Sequence, residues 1–125
     1  MVNKGGDKDE DDGEEAGRER LESDIENYQV AQQQLQLVVL QKQQMKLETE
    51  ELDHALSEMK KASGAVYKIV GPILIQSKKE DVEKDLIERK EFLSSRIEIL
   101  DKQEERLKKN LAELRKSIES KRQQG

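Results

Sequence analysis

The chain has 125 residues, enough for one domain, but 41% of them are charged and only Tyr28, Tyr67 and Phe92 are aromatic. Typical domains are ~25% charged and pack around large apolar side chains, so a compact globular core is excluded and a coiled coil is indicated. The absence of Cys excludes disulfides and thiolate metal sites, and the net charge of −5 argues against a nucleic-acid partner.

Residues 1–17 hold seven acids (Asp7, Asp9, Glu10, Asp11, Asp12, Glu14 and Glu15) and four of the seven glycines. So little apolar surface cannot offset the entropy of ordering, so a disordered acidic tail is expected. Nothing in it resembles a signal peptide. No apolar run in the chain approaches the ~20 residues that span a bilayer, so no membrane role is indicated and the expected location is the cytosol.

From Arg18 to residue 63 the pattern is helical. Leu21, Ile25, Tyr28, Leu35 and Val39 fall on a 3-4 spacing, with Gln32 filling the gap. The register is expected to slip near Met45 and to resume at Leu52, Ala55, Met59 and Ala62, as at a coiled-coil discontinuity. Residues 29–44 contain eight glutamines, read as a polar helix face.

Residues 64–78 have another texture. Gly64 is expected to stop the first helix. Gly71-Pro72 divides the β-branched run 65–76 into two short strands. Glycine at the first central position permits a type II′ turn, which pairs Val70 with Ile73, Ile69 with Leu74, Lys68 with Ile75 and Tyr67 with Gln76. In that register Val66, Val70, Ile73 and Ile75 share one face, and Tyr67, Ile69 and Leu74 the other. Both faces are apolar, whereas a lone hairpin is marginal in water. Two helices meeting it at one end cannot cover both. Hairpins from several subunits are therefore expected to pair into a closed sheet or barrel.

The second helix is expected over 79–122, its start marked by Ser77 and the acids Glu80, Asp81 and Glu83. Positions 86, 90, 93, 97, 100, 104, 107, 111, 114 and 118 follow an unbroken 4-3 repeat; all but Lys90 and Glu104 are Leu or Ile. So narrow a seam means coiled coil. Residues 123–125 are expected to be a disordered end. The fold class is thus mainly α with a small β element, an antiparallel two-helix coiled coil whose connector is a β-hairpin. At the free ends, Leu21, Ile25, Tyr28, Leu107, Leu111, Leu114 and Ile118 are seam residues that fraying would expose.

Catalytic chemistry finds no support. His54 is the lone histidine and sits beside Asp53 on a charged helix without a second ligand. The carboxylates lack a cleft to shift them, and the glycines of the tail form no phosphate loop. Lys78-Lys79 and Lys108-Lys109 are flanked by acids and read as solvated faces.

Helix, hairpin and helix of this size resemble the prefoldin family of chaperones. The likeness rests on Tyr28 to Lys42 (YQVAQQQLQLVVLQK) and on Val66 to Gln76 (VYKIVGPILIQ), and covers roughly residues 20–122. One hairpin rather than two is similar to the β-type subunit. The resemblance implies a hexamer of two α-type and four β-type subunits. In it Val66, Tyr67, Ile69, Val70, Gly71, Pro72, Ile73, Leu74 and Ile75 build a double β-barrel platform. It implies capture of unfolded proteins at the coiled-coil tips and their delivery to a group II chaperonin, with no nucleotide or other cofactor. The acidic tail departs from the family pattern. The alternative is a structural coiled-coil adaptor that tethers specific folded partners.

Overall fold

A computed structural model describes the backbone of residues 3–124 and the side chains of residues 13–123. The element order is α1 (Asn3–Lys61), β1 (Val66–Val70), β2 (Ile73–Ser77) and α2 (Lys79–Gln124). It divides into two compact units. One combines residues up to Val38 with those from Gln103 onward; the other is Val39–Lys102.

The repeat expected for α2 is present position by position. All ten of its residues are buried or half-buried, Leu93 at 1% exposure and Leu100 at 3%. The charged members are held by partners: Lys90 Nζ meets Asp53 Oδ1 at 2.5 Å, and Glu104 pairs with Lys108 at 3.2 Å.

The seam of α1 differs from expectation. In the first unit it runs through Leu21, Asp24, Tyr28, Ala31, Leu35 and Val38, and in the second through Lys42, Met45, Thr49, Leu52, Leu56 and Met59. Ile25, Val39, Glu48 and Ala55 are half-buried beside it. The spacing alternates between three and four throughout, so no slip occurs at Met45. Ala31 is buried and Gln32 is exposed, and Ala62 is exposed as well. The slip was an effect of polar residues in seam positions. Each of these has a partner: Lys42 Nζ lies 2.6 Å from Asp101, and the Thr49 hydroxyl donates to the Met45 carbonyl at 2.9 Å.

α1 begins at Asn3, N-terminal to the Arg18 expected, so helical backbone crosses the segment read as a disordered tail. Propagating an existing helix costs far less than nucleating one. Residues 1–12 lie outside the described side chains, and with them most of that expectation. At the other end α2 continues to Gln124, across most of the expected disordered end, and Gly125 lies outside the described residues.

α1 stops at Lys61. Lys79 Nζ donates to the Ala62 carbonyl at 3.4 Å, and Gly64 takes φ +122, a region other residues avoid. The hairpin register matches the expected one and adds Val66 opposite Ser77. Gly71 has φ +59, while proline fixes a negative φ at Pro72, so the turn is type II′. The start of α2 corrects one detail. Ser77 Oγ turns back to the Ile75 carbonyl at 3.3 Å, and the helical ladder opens with Val82 N–H bonded to the Lys78 carbonyl. Glu80 and Asp81 occupy its first turn, where the helix dipole favours acids.

Within each unit the core is therefore a narrow seam. Leu93→Ala is expected to cost about 2–3 kcal/mol, the lower part of the range for buried Leu because a thin seam relaxes. Leu37→Ala, at a side chain 59% exposed, is expected to change stability by less than about 0.5 kcal/mol. Urea unfolding followed by circular dichroism measures both.

Candidate functional site: an exposed hairpin and an apolar helix end

The hairpin carries its apolar residues in the open. On one face Tyr67, Ile69 and Leu74 are 57%, 73% and 67% exposed; on the other Val70, Ile73 and Ile75 are 50%, 59% and 47%. Only Val66 is half-buried among the hydrophobic hairpin residues. Among the described residues none buries either face, which argues against an intramolecular core beneath the loop. Lys68 Nζ reaches Asp85 at 3.4 Å, an exposed pair that ties β1 to the first turns of α2.

In the first unit, the expected tip residues Leu21, Ile25, Tyr28, Leu107, Leu111, Leu114 and Ile118 are all half-buried. The structure brings four of them, Ile25, Tyr28, Leu111 and Ile118, along two grooves beside one polar knot. Asp24 Oδ2 accepts from Lys121 Nζ at 2.5 Å and from Ser117 Oγ at 2.7 Å. These bonds, the Lys121 one foremost, hold the Asp24 carboxyl below its ordinary value of 3.8. A groove of about 460 Å³ opens beside Tyr28, between Leu111, Ala112, Arg115, Lys116 and Glu119. A second runs on past Ile25, Ile118 and Arg122. Leu21, Leu107 and Leu114 stand outside both. Sequence reading found the apolar walls but missed the cations. They sit at the edge of the seam, where periodicity of apolar residues carries no signal.

In the second unit, Arg89 pairs with Glu48 at 2.9 Å, and its guanidinium lies 5.3 Å from the Phe92 ring centre. His54 is exposed, and among the described residues no group of His, Cys, Asp or Glu is placed to hold a metal ion. No described helix is long and apolar enough to cross a membrane.

Two long helices joined by a two-strand antiparallel hairpin define the class of helical-hairpin, coiled-coil subunits. The family model for prefoldin subunits matches residues 22–125, and the chain belongs to the prefoldin subunit family. It is 40% identical over 98 residues to the prefoldin subunit beta of Archaeoglobus fulgidus, covering 77% of this chain and 84% of that one. Likeness to the prefoldin subunit beta of Thermococcus kodakarensis is also 40% over 98 residues, covering 77% and 81%. The crystal structure of the prefoldin beta subunit from Thermococcus strain KS-1 superposes with a TM-score of 0.74 at 36% identity, over 81% of this chain and 90% of that one.

The Asp24 knot gives a pH signature. A carboxyl with a depressed folded-state pKa stabilises the fold above its unfolded value and loses that contribution as pH falls through the folded one. The natural chain is therefore expected to be more stable than Asp24→Asn at neutral pH, with the gap closing below about pH 4. Urea midpoints at stepped pH read the difference.

Proposed function

We propose that this chain is a β-type prefoldin subunit, working as an ATP-independent holdase. Its hairpin joins subunits in a platform of two α-type and four β-type chains. Its free helix ends hold unfolded proteins, which pass to a group II chaperonin. The observation that carries the reading is the hairpin, apolar and exposed on both faces. Such a surface of six large side chains is far beyond the scattered apolar residues that ordinary surfaces tolerate, and marks an interaction site. Both outer strand edges are also unpaired and open to a neighbouring strand. Holding requires no chemistry, only apolar surface that yields to a client, and Leu21, Ile25, Tyr28, Leu107, Leu111, Leu114 and Ile118 supply it. A soluble helix-rich chain of this kind belongs in the cytoplasm beside its chaperonin.

Two experiments test the two ends separately. Ile69→Asp with Leu74→Asp is expected to reduce the native mass of the assembly formed with an α-type subunit to that of separate chains. An unchanged mass removes the hairpin as the interface. A truncation lacking residues 1–28 and 108–125 is expected to keep that assembly but to lose protection of several unrelated denatured proteins against aggregation. Full protection by the truncated form refutes the tip mechanism, and binding to one folded partner alone indicates an adaptor instead.

A further inference from the structure

The groove of the first unit has two unlike walls. Residues 27–38 of α1 contain no charged residue, in a chain that is 41% charged. Their exposed members are amide or aliphatic, including Gln29, Gln32 and Val30. Residues 106–122 of α2 hold seven cations and two acids, and the α1 stretch opposite their last turns, around Asp24, carries Glu22 and Glu26 as well. Arg115, Lys116 and Arg122 line the groove and are exposed. Arg115 pairs within its own helix with Glu119 at 3.3 Å. Among the described residues, no acid of α1 pairs with any of the three. Among the described residues, the one contact across this unit between ionised groups, Asp24 with Lys121, lies at the seam itself. The second unit is built differently: Lys42, Arg89 and Lys90 each meet a carboxylate on the opposite helix. Lys116 and Arg122 thus have no acid partner among the described residues and lie beside apolar walls of Ile25, Tyr28, Leu111 and Ile118, while Arg115 is held by Glu119, which lines the groove with them.

We infer that this groove selects among unfolded clients, taking apolar segments that carry acidic residues in preference to basic ones. The inference rests on the holding role proposed above and names its client class. Charge complementarity supplies the choice of occupant. A carboxylate flanking a buried Leu or Phe of the client meets the ammonium of Lys116 or the guanidinium of Arg122, neither of which has an acid partner among the described residues, whereas Arg115 is already engaged by Glu119. The aliphatic part of the segment displaces water from Tyr28 and Leu111. The chain's own acidic segment is a poorer occupant. Residues 3–15 contain no apolar side chain to fill the walls.

The test uses the full chain and two short fluorescein-labelled peptides sharing the same Leu, Phe and Val positions, with Glu at the remaining positions in one and Lys in the other. Fluorescence anisotropy is expected to give about tenfold tighter binding of the acidic peptide at low salt, since three weak surface attractions add. The ratio is expected to shrink as salt rises. Arg115→Gln with Lys116→Gln and Arg122→Gln is expected to abolish the preference while leaving the helical circular dichroism unchanged, and the corresponding triple Glu variant is expected to invert it. Equal binding of the two peptides by the natural chain, with aggregation protection intact, overturns the selection and leaves the holding role standing. Absence of both peptide binding and protection overturns the two together. A preference that appears only after deletion of residues 1–17 overturns it in favour of the chain's own acidic segment as occupant.

Discussion

A single heptad seam is the constraint from which the other features follow. Each helix offers its partner one stripe, and within that stripe only Ala31, Met59, Leu93 and Leu100 are buried. A seam of this width stabilises a helix pair because its apolar residues repeat without interruption, each adding a small increment. It has no surplus surface to spend on anything else. Six large hairpin side chains are therefore left wet, and the strands beneath them rest on a two-stranded ladder that is marginal alone. A wider core would have folded the hairpin inward and removed its reason to meet other chains.

The polar members of the seam trade stability for register. Asp24, Lys42, Thr49 and Lys90 all occupy positions where Leu would pack better. Each is tied to a specific atom: Lys121 and Ser117, Asp101, the Met45 carbonyl, and Asp53. A one-heptad shift of either helix would strand three of these four beside apolar neighbours, since Thr49 alone bonds within its own helix. Polar residues in such positions cost energy in the correct register and far more in a wrong one. Uniform Leu seams lack that discrimination. Asp24 is such a residue in the first unit, and Lys42, Thr49 and Lys90 are in the second.

The same residues explain what was legible in the sequence. The α2 seam could be placed residue by residue because Leu and Ile occupy eight of its ten positions. The hairpin register followed from Gly71-Pro72, which admits one turn type. The α1 seam was misplaced because polar residues stand inside it while Val30, Leu37, Leu40 and Leu47 lie outside it, each more than half exposed. Apolar periodicity therefore pointed partly to the wrong face, and Gln32 was taken for a seam residue in place of Ala31. The apolar walls of the tip groove were legible for the same reason as α2. Its cations were not, because whether Lys116 or Arg122 meets an acid of α1 depends on the pairing of two helices and not on either one.

Burial falls from the middle of α2 to its end, and this gradient bears on how a holding role operates. Leu93 and Leu100 are buried, whereas Leu107, Leu111, Leu114 and Ile118 are half-buried. A seam residue can serve a client only by weakening its contact with the partner helix, so tip binding and seam packing compete. The competition favours the client only where local opening is cheap, which is at the last turns. The Asp24 knot sits between Leu21 and Tyr28 and fixes α1 to Ser117 and Lys121 with two charge-assisted bonds. It limits full opening to the turns beyond it and leaves the groove at Tyr28 as a surface presented without unpacking. Under the proposed holding role, the groove at Tyr28 would serve as a standing surface and the last turns as a yielding end.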